Sequence, residues 1–393
     1  MSSVPPHAET GQMATNGKAL PEFSIGEARR IVQDLFEPRP LVYWCDFLVS
    51  FAVGMSAFVA VRNLPSLPGQ ALAFLLSVLA LYRAVLFTHE LTHLRKGTFI
   101  AFRVAWNTLV GIPFLMPSFT YHTHLAHHAR RHYGTAEDGE YLPLAAGPAW
   151  RILHYLAQSF LIPPLVIGRF LLLAPIAWAS PAFRRWVDQH ASSMVVDPSY
   201  LRPLPSTAER RLWRVQEALC FVCCVSVVWG LAAGVWSISL LVQIYLTAAS
   251  ILLINALRTA VAHRFRNTGG EMTFVEQLLD TINYPHHALT GELWAPVGLR
   301  FHALHHLFPS LPYHALPKAH RRLMHELPAD SPYRLTESAG FWASMRQLWS
   351  EARASQRGSA HHGTYGASLR RLTPPAQLAV DPARQPPSGI AAS

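Results

Sequence analysis

Twenty-one histidines punctuate this chain of 393 residues, and eight of them fall in three tight groups. His89 and His93 occur in His89-Glu90-Leu91-Thr92-His93, where the i, i+4 spacing brings both imidazoles to one helix face, close enough to share a metal ion. His124, His127 and His128 follow in His124-Leu125-Ala126-His127-His128, and the same pattern returns at His302-Ala303-Leu304-His305-His306. Within each HxxHH the three imidazoles share a face, while i+3 and i+4 fan outward and can reach two metals. His263 stands alone between the second and third groups. A single histidine near an apolar stretch is ordinarily hydrogen-bonded or interfacial, but three such groups in one chain point to metal chemistry.

The number of imidazoles narrows the metal. A structural zinc is closed by four ligands, usually including cysteine, so eight or nine histidines with no cysteine nearby exceed one zinc. Imidazole suits iron, copper and zinc alike; ligand number favours two irons with positions left open for oxygen. Ligating imidazoles also need acceptors for their far ring nitrogens, and Glu137, Asp138, Glu140 and Asp280 are the carboxylates at hand. One competing motif lies inside the first group, because His89-Glu90-Leu91-Thr92-His93 is an HExxH, in which the glutamate of an intramembrane zinc metalloprotease would be the general base. That reading leaves both HxxHH groups without a use.

The elements that must position these groups are apolar. Hydrophobic residues make up 51% of the chain and charged residues only 14%, against roughly a quarter charged in a soluble domain, and mean hydropathy is positive. The net charge of +10 is spread between apolar blocks and gathered in no basic stripe, which favours a membrane with anionic lipid as partner and argues against nucleic acid. Cys45, Cys220, Cys223 and Cys224 lie in apolar stretches, so no disulfide framework is expected, and the CxxC of Cys220 and Cys223 reads as small buried hydrophobes.

Residues 1–23 are polar, lack the apolar core of a cleavable signal, and are expected to form a disordered leader. An amphipathic helix is expected over 24–38, capped by Ser24 with Glu27 at its third position. The membrane domain is assigned to 39–335. Within it, 42–62 and 70–88 form one pair of spans and 217–236 and 238–257 a second, each near the ~20 residues a bilayer requires. The blocks 99–117, with Arg103, Asn107 and Pro113, and 152–179, broken by Pro163-Pro164, Arg169 and Pro175, read as re-entrant or interfacial. A helical segment over 336–351 and a disordered tail over 352–393, with His361 and His362 unrelated to any site, complete the chain. Both hairpin tips lack Lys and Arg, whereas Arg29, Arg30, Arg39, Arg258, Arg264 and Arg266 flank the other ends; the positive-inside rule therefore puts the tips outside and the histidines in the cytosol. The expected fold class is an all-α integral membrane protein with about four transmembrane helices and a cytosolic helical cap holding a His-rich di-metal site.

Three groups in this order, with a short hydrophobic segment between the first two and two spans between the last two, resemble the histidine boxes of the membrane fatty acid desaturase superfamily. The resemblance covers roughly residues 40–330, and Tyr133-Gly134-Thr135-Ala136-Glu137-Asp138 and His305-His306-Leu307-Phe308-Pro309 are similar to bacterial members, which implies a multi-pass protein of a bacterial inner membrane. It implies that His89, His93, His124, His127, His128, His302, His305 and His306 are the metal-binding catalytic residues, with a further ligand between the last span and the third box. His263 matches that role best. Family sites can carry an Asn four residues before this ligand, where the present chain has Thr259; Asn283 and His287 do have that spacing and form the alternative. The implied reaction uses two Fe ions and O2 to abstract hydrogen from a methylene of a fatty acyl chain or acyl lipid. Loss of a second hydrogen gives a double bond, and rebound of oxygen gives the hydroxyl of a lipid, alkane or carotenoid hydroxylase or ketolase. No fused haem motif His-Pro-Gly-Gly and no ferredoxin cysteines are present, so a separate electron donor of ferredoxin or cytochrome b5 type is expected.

Overall fold

A computed structural model describes residues 23–361, and strand pairing among them is confined to isolated bridges such as His263 with Thr281. The chain separates into two units, Met1–Gln356 and Arg357–Ser393, and only 357–361 of the second are described. The first unit holds the long apolar helices and all three histidine groups.

Ser24 accepts the backbone N–H of Glu27 at 3.2 Å and starts α1 (Ile25–Val32), which closes in a tight turn over Gln33–Leu35. The helix expected to reach 38 stops here because Pro38 and Pro40 withdraw backbone donors; Pro40 then opens α2 (Pro40–Asn63), where a proline costs no hydrogen bond. Ser66 caps α3 (Leu67–His93), and α2 and α3 pack as the expected hairpin. Their contact is close enough that a Cβ at Gly54 would lie 2.6 Å from the Leu81 side chain, and Ser77 donates to the Gly54 carbonyl across it at 3.0 Å. Arg83, the one charge in the second span, is neutralised by Asp46 of α2 through two bonds of 2.6 Å and by Glu292 at 3.0 Å.

The block expected not to cross holds only α4 (Ile100–Trp106) and a wide π-turn over Asn107–Gly111, too short for a bilayer. After it comes the single turn of α5 (His124–His127).

The second block departs from expectation. Residues Trp150–Ala179 form one continuous helix, from α6 (Trp150–Gly168) through a π-turn at Arg169–Leu173 into α7 (Ala174–Ala179). It is one of five helices among the described residues long and apolar enough to cross a membrane, where four were expected; the others are α2, α3, α9 (Thr207–Ala232) and α10 (Ile238–Ala262), with α8 (Pro181–His190) preceding α9. Pro164 withdraws the donor that would have engaged the carbonyl of Phe160. That carbonyl instead accepts the Tyr245 hydroxyl of α10 at 3.1 Å, and α6 lies along α10. A neighbouring helix thus supplies the hydrogen bond that proline removed.

Arg169 is likewise neutralised from outside its own helix. Glu217 of α9, only 2% exposed, accepts Arg169 at 2.6 Å, Arg184 of α8 at 2.7 Å and the Trp178 indole at 2.8 Å. Truncating one member of such a buried set leaves uncompensated charge, a loss of roughly 3–5 kcal/mol. Glu217→Ala is therefore expected to lower the thermal unfolding midpoint in detergent sharply; an unchanged midpoint would show the network to be dispensable.

Arg62 at the end of α2 donates to Ser237 and Ser239 at the start of α10, at 3.2 and 3.3 Å, so the two inter-span tips lie side by side. Because α3 and α10 both run away from these tips, their C-terminal ends meet at the other end of the helices. There α11 (Phe274–Asp280), α12 (Ala288–Trp294), α13 (His302–Leu307) and α14 (Leu316–Glu326) gather. A buried cluster joins Tyr43, Phe47, Phe87 and Leu91 of the first hairpin to Leu304, Tyr313, Leu316 and Tyr333. The last helix, α15 (Phe341–His361), continues past residue 351, where the tail was expected to begin; 1–22 and 362–393, including most of the expected leader and tail, lie outside the described residues.

Candidate metal centre

The last two turns of α3 carry His89 and His93, α5 and the residue after it carry His124, His127 and His128, and α13 carries His302, His305 and His306. His263 stands where α10 ends, its backbone turned to extended geometry and bridged to Thr281. These nine side chains converge as two groups, His89, His93, His124, His128 and His305, and His127, His263, His302 and His306. Within each group the candidate ligand atoms all lie within 4.8 Å of one another. The two HxxHH motifs divide in opposite senses. The second box sends i and i+4 to the five-histidine group and i+3 to the other, whereas the third box sends i and i+4 to the four-histidine group. Each box therefore ties the two groups together.

The outer ring nitrogens of His124, His127 and His263 find partners of the kind that ligands require. His124 Nδ1 is 2.9 Å from Glu140, and His127 Nδ1 is 2.8 Å from Asp138, whose carboxylate also accepts the Gly134 and Glu140 amides at 2.9 Å. Gly134 takes a positive φ of 70°, and a Cβ there would stand 2.7 Å from the Asn267 side chain, so a larger residue would strain this turn and displace Asn267. His263 Nδ1 lies 2.8 Å from the Tyr133 hydroxyl, which donates to Asp280 at 2.7 Å. Of the four carboxylates singled out in the sequence, Glu137 alone serves elsewhere, pairing with His132. Tyr133 had no role assigned from sequence, and nothing in its local spacing marks it as the link between His263 and Asp280.

These contacts fix tautomers and test whether the site suits a metal. An ionised carboxylate only accepts, so the Nδ1 atoms of His124 and His127 donate and their Nε2 atoms carry lone pairs. Tyr133 spends its proton on Asp280, so His263 Nδ1 donates to it and His263 Nε2 is also a lone pair. Yet His127 Nε2 and His263 Nε2 face each other at 3.3 Å, a repulsive contact without positive charge between them. Asp138 raises the pKa of His127 against the effect of burial, so a proton could serve that pair. It could not serve the rest. Burial, and then like charge on neighbouring rings, hold His128, His302, His305 and His306 well below the ordinary histidine range, and burial pushes His263 down to about 4. Both ring nitrogens of His89 are buried without a partner. Neutral imidazoles with converging lone pairs fit metal cations.

His287 is exposed, with a left-handed φ of 55°, and belongs to neither group. Asn283, its partner in the alternative ligand pair, instead clamps the third box: its side chain accepts the Leu304 amide at 3.1 Å and donates to Thr336 at 2.9 Å. The Thr259 hydroxyl accepts from Arg258 at 2.8 Å. Glu90 of the HExxH is tied to the Tyr43 hydroxyl at 2.6 Å and the Tyr313 amide at 3.2 Å, away from the role a protease base would need. Nothing supports the protease reading, since His89 and His93 join three further histidines.

No solved structure matches the chain. It is similar to a ceramide hydroxylase of Caulobacter vibrioides (strain NA1000 / CB15N), 39% identical over 332 residues that make up 83% of this chain and 93% of that protein. Residues 65–337, a stretch containing every histidine of both groups, match the model of the fatty acid desaturase family, and the chain belongs to that family.

Proposed function

We propose that this chain is a membrane-bound, O2-dependent di-iron oxidoreductase that hydroxylates a ceramide-type lipid. One iron is assigned to His89, His93, His124, His128 and His305, and the other to His127, His263, His302 and His306. The observation that carries the substrate reading is the 39% identity to a ceramide hydroxylase across nearly the whole of that protein. Desaturation of a fatty acyl chain is the second reading, favoured by the family description.

The metals, when bound, supply oxidation of a methylene C–H by dioxygen, which no side-chain acid or base can achieve. The protein's part is to hold and orient. The nine imidazoles fix the two metals, while Asp138, Glu140 and the Tyr133–Asp280 pair keep His127, His124 and His263 in the tautomer that points a lone pair inward. Hydroxylation consumes one dioxygen, two electrons and two protons and yields an alcohol and one water; desaturation consumes the same and yields an alkene and two waters. In this reading the electrons come from a separate donor of ferredoxin or cytochrome b5 type, at the cytosolic face of a bacterial inner membrane.

The test is expression with a compatible donor, followed by mass spectrometry of total lipids and metal analysis of the purified chain. A ceramide heavier by one oxygen and two irons per chain are expected. A lipid lighter by two hydrogens, with no hydroxylated species, would replace the first reading by the second. One zinc per chain would overturn both.

A further inference from the structure

Arg258 lies near the end of α10, five positions before His263, and is 8% exposed. Its guanidinium donates to Asn255 at 3.3 Å and to Thr259 at 2.8 Å, and both partners are neutral. Arg169, the other deeply buried arginine within a candidate span, has Glu217, and Arg300 outside the spans has Glu292, whereas Arg202, 4% exposed and also outside the spans, donates to the Ser192 carbonyl and lies over the Trp213 ring. Among the described residues no carboxylate pairs with Arg258. Five positions further along the chain, where the same helix ends, stands His263 of the four-histidine group.

A buried cation without a counter-ion is costly in a membrane protein, and such residues mark binding pathways. The cost rises on a helix that ends at His263, one of a group of imidazoles that could hold a cation. A guanidinium has five N–H donors, more than these neighbours take up. If the oxidised carbon were an ordinary methylene in mid-chain, the surroundings of the metals would need only apolar walls. A polar set of Arg258, Thr259 and Asn255 on the last turns of the helix that presents His263 would then have no substrate atom to meet.

We propose that Arg258, steadied by Asn255 and Thr259, donates to an acceptor oxygen of the lipid, an amide carbonyl or hydroxyl within a few bonds of the carbon that is oxidised. The site therefore selects lipids with a polar group next to the reacting methylene. This rests on the hydroxylase reading and adds where on the lipid the oxygen enters.

The test uses the full chain loaded with iron in nanodiscs, a reducing donor, and short-chain ceramide. Wild type is expected to place the hydroxyl within a few carbons of the amide. Arg258→Met is expected to raise KM for ceramide by tenfold or more, to scatter the hydroxyl along the chain, and to keep its iron, with Arg258→Lys recovering part of the position selectivity. A scaffold role alone would not scatter the product. Should the Met variant fail to fold, the wild type is assayed with an analogue whose amide carbonyl is reduced to methylene, for which KM is expected to rise by a similar factor. Hydroxylation of ceramide far from the amide by wild type would overturn the assignment of Arg258 alone, as would unchanged KM and position in the variant or the analogue. A wild type that leaves ceramide untouched while oxidising an acyl chain would instead sink the hydroxylase reading.

Discussion

His263→Ala is expected to leave a folded chain that retains one iron and makes no detectable oxidised lipid, while His287→Ala keeps both irons and full activity. The two residues were rival ninth ligands in the sequence, and their surroundings differ in kind. His263 is buried, directs Nε2 at His302 across 2.8 Å and at His127 across 3.3 Å, and has its other nitrogen held by Tyr133. His287 is exposed. The four-histidine group has one imidazole fewer than its neighbour, so removing His263 leaves three. The loss of activity should exceed the roughly 10–100-fold that follows loss of an outer hydrogen-bond partner. His127→Ala should behave as His263→Ala does. Iron counted by emission spectroscopy and product by lipid mass spectrometry decide the matter; two irons in His263→Ala would refute the assignment.

The second large effect is expected at Asp138. Its two oxygens receive three donors, His127 Nδ1 and the amides of Gly134 and Glu140. Burial alone would raise its pKa, but His127 and these amides hold it below the usual carboxylate range, so it stays an acceptor on both oxygens. Asp138→Asn preserves shape yet turns one of those oxygens into an NH2 that opposes a donor. Because the Glu140 amide is anchored here and Glu140 in turn holds His124, the damage spreads to both groups. Metal affinity, measured by chelator competition, should fall by roughly 10–100-fold. Glu137→Gln, which alters a carboxylate paired only with His132, should leave it unchanged. Equal affinity in wild type and Asp138→Asn would mean that ring orientation is set by packing alone.

What the sequence by itself determined rests on local regularities. Spacing of i, i+3 and i+4 places imidazoles on one face wherever a helix forms, so His89 and His93, or His302, His305 and His306, were legible as ligand groups without knowing their neighbours. Runs of apolar residues gave the helices of α2, α3, α9 and α10 for the same reason. The helix Trp150–Ala179 escaped because the Phe160 carbonyl that Pro164 frees is taken up by Tyr245, 85 positions away. Tertiary structure alone decided the division of each HxxHH between two groups, the presence of His263 and not His287 in one of them, and the pairing of Asp138, Glu140 and Asp280 with particular side chains. It also decided that Arg83 and Arg169 are neutralised while Arg258 is not. Each of these is a contact between residues far apart in the chain, closed by the packing of α3, α10 and the cap, and no periodicity along the sequence encodes which distant side chain will arrive.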